Sequence, residues 1–263
     1  RSTAAAVYSM VRDRQRILDL GSGPAVVSSR AAREREAKVV CVDSDADALL
    51  AAAERGVADT IVADLQRDTW IEAVAGQKFD AVILADVLEH LYEPRDLLSA
   101  VLRADLLDED GELVISFPNA SHESVIGSLV IGDFEYQEKG ILDATHIRWF
   151  TLKSMRRLLD SVGMTIDRVV RIERTIEQTS LDHVLVDLDD ELRRSLRERV
   201  VDAGVYQYVL TARRSVSAAE PSSVEVARRE HAVDKAAIAR LQTLLETANR
   251  QREEATATSA AHE

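Results

Sequence analysis

Along the first 214 residues, short apolar runs ending in turn residues alternate with longer stretches whose apolar positions recur every three or four residues. The runs are RILDL (16–20), KVVCVD (38–43), DTIVAD (59–64), FDAVILAD (79–86) and GELVISFP (111–118). Their near-continuous Val, Ile and Leu content suits strands covered on both faces rather than strands with one wet face. Helical spacing fills 26–36, 45–55, 68–75 and 94–107, so the pattern predicts βαβ units and a doubly wound, mostly parallel α/β sheet. Farther on, a helix over 151–161 stops at Gly163, and a strand follows at MTIDRVVRIE (164–173). The stretch DDELRRSLRERVVDAG reads as a helix capped by Gly204. VYQYVLTARR (205–214) then reads as a seventh strand, antiparallel to 164–173 at the sheet edge.

Two segments fall outside this alternation. Residues 119–150 are too long for a plain connection and read as an insertion that shapes an acceptor site. Beyond the domain at 1–214 come a linker at 215–223, a helical pattern over 224–250 and a frayed polar tail at 251–263. Val224, Ala227, His231, Asp234, Ile238, Leu241, Leu245 and Ala248 keep a three-four spacing, but only the later two heptads are apolar enough for a seam. This C-terminal helical extension therefore reads either as a weak coiled coil or as a solvated helix, and it leaves room for a homodimer or a helix-mediated protein partner.

Composition narrows the field. With 263 residues and 46% apolar content, the chain can bury a sizeable core. No run reaches the roughly 18 consecutive apolar residues of a membrane span, and no basic start leads into an apolar segment. The single cysteine, Cys41, lies inside an apolar run, so no intrachain disulfide can form and a reducing, cytoplasmic setting is expected. A net charge of −13 argues against a nucleic-acid partner, because such affinity rests on cations that neutralise phosphates.

The first chemical signal is LDLGSGPAV, which follows the first strand and opens a helix. Gly21 and Gly23 can bring backbone N–H groups against a ligand at a helix N-terminus. Asp43, twenty residues after Gly23, ends the second strand, where a carboxylate can accept both hydroxyls of a ribose. A dinucleotide site would want a third glycine at position 26, and Val26 stands there.

With ILDLGSG, VVCVDSD, IVADL, FDAVILADVLEHL and DGELVISFPN in this order, the chain resembles the class I S-adenosylmethionine-dependent methyltransferases over roughly residues 10–214. The resemblance implies a Rossmann-like fold with S-adenosylmethionine as cofactor. It implies that Gly21, Ser22 and Gly23 contact the methionine moiety, that Asp43 and Ser44 hold the ribose and adenine edge, and that Asp64 and Leu65 flank the adenine. Asp19 would orient the loop and the amino group. The family's frequent glycine two residues after the second loop glycine is Ala25 here.

The second signal is ILADVLEHLYEP (83–94), which puts Asp86, Glu89 and His90 into the expected first turn of a helix. Positions i, i+3 and i+4 of a helix share a face, so the three side chains would converge above the fourth strand. Such a set suits a divalent cation, Mg²⁺ foremost and Mn²⁺ next, with the imidazole also admitting Zn²⁺ or Fe²⁺. His146, in DATHIRWFT, is the expected fourth ligand. The arrangement is similar to that of metal-dependent small-RNA 2′-O-methyltransferases and to the acid-x-x-Glu-His run of ubiquinone-pathway O-methyltransferases, although Asp86 stands where those families usually carry Glu. A metal-free reading makes Asp86 an N-cap, Glu89 an acid favoured by the helix dipole, and His90 or His146 a general base. His122, in PNASHES, is a further candidate base or acceptor contact, and Asp143 could orient an imidazole.

GDFEYQEKGILDATHIRWFT and the late YQYVLTARR resemble methyltransferases encoded with, or fused to, bacterial glycosyltransferases of polysaccharide pathways. That resemblance implies a sugar or oligosaccharide hydroxyl as acceptor. A small-molecule O- or N-methyltransferase would share every cofactor motif. RNA 2′-O-methylation would share the acid–imidazole set but finds no basic stripe here. A non-catalytic cofactor-binding scaffold of a glycan synthesis complex stands as the reading from another class.

Overall fold

In three neighbouring strands of the sheet, successive apolar residues alternate between two helical layers. β1 (Arg16–Leu20), β2 (Lys38–Asp43) and β4 (Phe79–Ala85) send Leu18, Leu20, Val40, Val42, Val82 and Leu84 into one core. Ile17, Val39, Cys41, Ala81 and Ile83 go into the other. This is the physical origin of the unbroken apolar runs: successive side chains of a strand point to opposite faces, and here both faces are dry. The first layer is roofed by Trp70 of α4 (Thr69–Ala73), Leu97, Leu98 and Val101 of α5 (Pro94–Arg103), and Met155 and Leu159 of α7 (Leu152–Ser161). The second is roofed by Ala6, Val7 and Met10 of α1 (Thr3–Met10), Ala31 of α2 (Val26–Arg35), and Leu49 and Ala52 of α3 (Ala46–Glu54).

The computed structural model describes residues 2–186 and 188–215, which fall in one compact unit, Arg1–Ser215. The expected helix over 224–250, the frayed tail and all but the first residue of the linker lie outside the described residues. The other elements are β3 (Asp59–Val62), β5 (Leu107–Pro118), α6 (Glu123–Ile131), β6 (Met164–Glu173), α8 (Asp190–Arg199) and β7 (Val205–Arg214). They complete a seven-stranded sheet of order β3-β2-β1-β4-β5-β7-β6. β1 to β5 pair in parallel, while β7 runs antiparallel to both β5 and β6. The chain winds outward from β1 to β3 and restarts at β4, so the crevice between the C-terminal ends of β1 and β4 is the switch point where such sheets hold ligands.

Three local expectations are corrected. No α-helix begins at Asp86: Leu88–His90 is a single 3₁₀ turn and α5 starts at Pro94, because Asp86 is left-handed at φ +58°. β7 pairs with β6 as expected but is not the edge, since it lies between β5 and β6. α8 stops at Arg199 with Val200 as an extended cap, so Gly204 leads into β7 instead of ending the helix. The insertion also contains α6, over a satellite core of Val125, Ile141, Leu142, Ile176, Leu181 and Val184. Cys41 is fully buried, and burial pushes its thiol up to about 12, as befits a spectator. Among the described residues no helix is long and apolar enough to cross a membrane.

Candidate active site

The glycine loop leaves β1 at Gly21, whose N–H donates to the Val42 carbonyl (2.8 Å). Gly21 has φ +71°, and a Cβ there would lie 2.6 Å from Val87 Cγ2, so the loop can press on the turn after β4 only as glycine. Gly23 differs: it is also left-handed, at φ +50°, but a Cβ would meet nothing within 4 Å. The Gly23 N–H donates to one Asp43 carboxylate oxygen (2.7 Å), and the Asp45 N–H donates to the other (2.9 Å). Ser22 N–H reaches the Val42 carbonyl at 3.3 Å. Ala25 precedes α2 at φ +51°, the left-handed conformation that makes glycine frequent at such a position.

Asp19 lies beneath the loop, buried, and accepts a hydrogen bond from Ser28 Oγ. Burial raises its carboxyl to about 6, Ser28 working against the rise and the Asp43 charge adding to it. Ser44 is exposed next to Asp43. Asp64 and half-buried Leu65 follow β3, where Asp64 accepts the Gln66 N–H (2.9 Å). Gln66 Oε1 in turn accepts the Tyr92 N–H (3.1 Å), which joins the loop after β3 to the turn after β4.

That turn carries the second group of residues. Glu89 is buried, and neither of its carboxylate oxygens has a hydrogen-bond partner. Burial, reinforced by the charge of Asp86, holds its carboxyl well above the usual carboxylate range. His90 and His146 stand beside it, with one ligand atom from each of the three residues lying within 4.8 Å of the others. The two rings meet edge-on at 4.8 Å between centroids. His90 Nδ1–H donates to the Thr145 carbonyl (3.2 Å), and His146 Nδ1–H donates to the Ile141 carbonyl (2.8 Å). With Nδ1–H so engaged, the neutral form of each ring is the tautomer with its lone pair on Nε2, which a ligating or proton-accepting histidine needs. Burial pushes the His146 imidazole below its ordinary value, which favours the neutral ring. The insertion is locked to the turn by its backbone: Ile147 N–H and Arg148 N–H both donate to the Glu89 carbonyl (2.9 and 3.0 Å).

Asp86, also expected among the ligands, stands outside this set. Its Oδ1 accepts from Ser116 Oγ (2.7 Å) and Gln207 Nε2 (2.5 Å), and Thr3 Oγ1 donates to Gln207 Oε1. The shared helical face that would have aligned it with Glu89 and His90 does not exist, because the chain turns left-handed at Asp86. Desolvation raises its carboxyl, while the two hydrogen bonds oppose the rise. Ser116 and Gln207 had no signal in the sequence beyond their places on strands.

His122 is not available as a base. It is fully buried and caps α6, its Nδ1 accepting the Ser124 N–H (3.2 Å) while Nε2–H donates to the Arg174 carbonyl (2.9 Å). Both nitrogens are occupied, and burial pushes the ring toward the neutral form. Asp143 accepts from the Thr145 N–H (2.8 Å) and hydroxyl (2.6 Å), so it shapes the turn carrying His146 without bonding the ring. Arg148 pairs with Glu93 at 3.6 Å. Tyr8 is docked on α2, its ring under Arg30 and Arg35.

The sequence profile of a family described as a methyltransferase domain matches residues 5–169. No curated protein matches the chain. Among solved structures, an S-adenosylmethionine-dependent methyltransferase from Archaeoglobus fulgidus is 18% identical, with a TM-score of 0.52 over 80% of this chain and 93% of its own. The magnesium protoporphyrin IX methyltransferase of Synechocystis PCC 6803, solved with S-adenosylhomocysteine, is 19% identical, with a TM-score of 0.51 over 81% and 80%. The 1,6-didemethyltoxoflavin-N1-methyltransferase of Burkholderia thailandensis is 19% identical, with a TM-score of 0.51 over 82% and 77%. At these identities the likeness is one of fold. The profile match is different in kind, because it runs from α1 into β6 across the glycine loop, Asp43 and the acid–imidazole turn: the chain belongs to the methyltransferase-domain family and is a methyltransferase.

Proposed function

We propose that this enzyme transfers the methyl group of S-adenosylmethionine to a hydroxyl of a sugar or glycan, with a divalent cation, Mg²⁺ foremost, held by Glu89, His90 and His146. The open space at Gly23 and the carboxylate of Asp43 beside it suit the methionine and ribose parts of the cofactor, two of whose solved structural neighbours carry S-adenosylhomocysteine. Asp19, beneath the loop, would meet the amino group, and an ammonium there would draw its carboxyl back to the ionised form.

The observation that carries the metal reading is the orphaned Glu89 carboxylate. A buried carboxylate with no partner is costly, and charges of this kind persist where a ligand completes them. Two imidazoles stand beside it, with one ligand atom from each of the three residues within 4.8 Å of the others, a donor set of oxygen and nitrogen that suits a divalent ion. A bound cation would lower the pKa of an acceptor hydroxyl and fix its direction. The protein's own part is to hold both rings through the Thr145 and Ile141 carbonyls, to bury Glu89 from competing water, and to set the turn after β4 against the cofactor loop through Val87 and Gly21.

The sugar class is favoured by vicinal hydroxyls, which can offer two adjacent oxygens to one cation, and by the acidic surface, which repels polyanions. A small-molecule acceptor is the second reading, because the toxoflavin-precursor and porphyrin methyltransferases share the fold. The deciding experiment is transfer from labelled S-adenosylmethionine to mono- and oligosaccharides with added Mg²⁺ or with chelator. Turnover lost on chelation and restored by the ion is expected. Chelator-resistant turnover would return His90 or His146 to general-base duty, and no turnover on any sugar would put the small-molecule reading first.

A further inference from the structure

The insertion carries a feature that neither the cofactor loop nor the acid–imidazole set uses. The chain is poor in aromatics, with four Phe, two Trp and five Tyr, yet Phe134, Tyr136 and Trp149 gather on one loop surface. Phe134 lies 5.8 Å from Tyr136 and 5.9 Å from Trp149, and Tyr136 lies 6.5 Å from Trp149, between ring centroids. Phe134 and Tyr136 are 39% and 53% exposed. Trp149 is half-buried, with its inner side packed on the satellite core of the insertion. It also stands edge-on to His146 at 6.1 Å, which in turn meets His90 at 4.8 Å. An unbroken run of ring contacts thus leads from the proposed chemistry out to exposed rings.

This patch is held in place. Gln137 N–H donates to the Leu142 carbonyl (2.8 Å), and Ala144 N–H returns to the Gln137 carbonyl (2.9 Å). Gly140 closes the loop at φ +106°, where a Cβ would sit 2.8 Å from Ser180 Oγ. Exposed rings on a pinned loop beside a reactive centre gain nothing for folding and are the usual mark of a binding surface. Glu135 and Glu138 are exposed along the same loop. Flat rings edged by carboxylates suit a pyranose, whose C–H face stacks on an aromatic ring while its hydroxyls donate to carboxylates. An anionic ligand would be repelled by the same rim.

We infer that Phe134, Tyr136 and Trp149 bind the sugar unit next to the one that is methylated, so that the acceptor is an oligosaccharide. The inference rests on the glycan reading above. Its test does not depend on turnover, because the other tryptophan, Trp70, is fully buried in the core roofed by α4 and α5. Ligand-induced changes in tryptophan emission therefore report Trp149, and loss of the change in Trp149→Phe verifies the assignment.

The titration uses the protein loaded with S-adenosylhomocysteine and Mg²⁺, with maltotriose, mannotriose and chitotriose, their monosaccharides, and catechol and tyramine as flat non-sugar probes. At least one trisaccharide is expected to change the emission and to bind about tenfold more tightly than its monosaccharide. Phe134→Ala and Tyr136→Ala, both at exposed positions, are expected to weaken it about fivefold or more with S-adenosylhomocysteine affinity unchanged, and to raise KM more than they lower kcat. Trisaccharides that leave the emission unchanged, equal binding of mono- and trisaccharide, or alanine variants that bind like the parent would each overturn the platform, as would a response to catechol or tyramine alone. The two readings separate cleanly. An emission response with no sugar methylated keeps the platform and defeats glycan O-methylation, whereas methylation indifferent to Phe134 and Tyr136 does the reverse.

Discussion

Gly21 and Gly23 share one loop and one sign of φ, yet alanine should act differently at each. Gly23→Ala faces open space and carries only left-handed strain, roughly 1–2 kcal/mol. Gly21→Ala adds a contact of 2.6 Å with Val87, and overpacking of this kind costs about 1–3 kcal/mol more. Urea denaturation should therefore rank Gly21→Ala as the less stable protein, with Val87→Ala in the same chain recovering part of the loss. Equal midpoints for the two glycine variants would disprove the packing argument. Asp19 gives a pH signature. Its folded carboxyl is raised by burial from 3.8 to about 6, so the folded chain binds the proton more tightly than the unfolded one. The Asp19 contribution to stability is then greatest below the unfolded value, falls as pH climbs toward about 6, and stays level above. Asp19→Asn should flatten that part of the profile in the cofactor-free protein; unchanged slopes in denaturation between pH 4 and 7 would remove Asp19 as its source. His122 teaches the opposite lesson. An imidazole near the C-terminal edge of a sheet looks like a base in the sequence, but only the fold reveals that both of its nitrogens are committed to backbone.

At the scale of elements, the turn at Leu88–His90 and the loop leading to Phe150 act as one unit. The Glu89 carbonyl takes two N–H groups from that loop, and the Thr145 carbonyl takes the His90 ring. His146→Ala should therefore abolish turnover and the response to added metal while leaving S-adenosylhomocysteine binding near the parent value, measured by calorimetry. Equal loss of cofactor affinity would mean that His146 supports the cofactor loop instead. Farther along the insertion, α6 and α8 are joined by Arg197, which binds both oxygens of the fully buried Glu123 at 2.6 Å. Removing the cation from a buried carboxylate costs about 3–5 kcal/mol when both partners are buried. Because Arg197 is half-exposed, about 2 kcal/mol is expected for Arg197→Met. Glu123→Gln in the same chain should return part of it, and hydrogen exchange should place the loss in α6 and α8.

For the whole molecule, ligand linkage offers a check on the cofactor site. S-adenosylhomocysteine at about 100 times its Kd should stabilise the fold by about 2.7 kcal/mol, a rise of roughly 5–10 °C in Tm for a domain of this size. Asp43→Ala should erase most of that rise, and a thermal shift that survives the substitution would place the cofactor elsewhere. The charge of −13 acts at this scale too, since it favours neutral acceptors over polyanions without choosing among them.

Much of this architecture was legible along the chain. Alternate burial writes a continuous apolar run into every doubly covered strand, and the cofactor loop and Asp43 are contiguous with their strands, so backbone geometry alone brings them together. Glu89, His90 and His146 could be named from residue type and position. Asp86 could not be placed, because its left-handed backbone follows from packing and from the hydroxyl and amide of Ser116 and Gln207, residues 30 and 121 positions away. The site of β7 between β5 and β6 is likewise a choice among pairings that one strand's pattern does not distinguish. Sequence by itself determined the parallel core, the glycine loop and the residue types of the turn after β4, because those depend on neighbours in the chain. Tertiary structure alone decided which acids and imidazoles converge, which histidine is spent on a helix cap, and where aromatic rings face solvent, because each depends on contacts between segments whose spacing in sequence carries no geometric information.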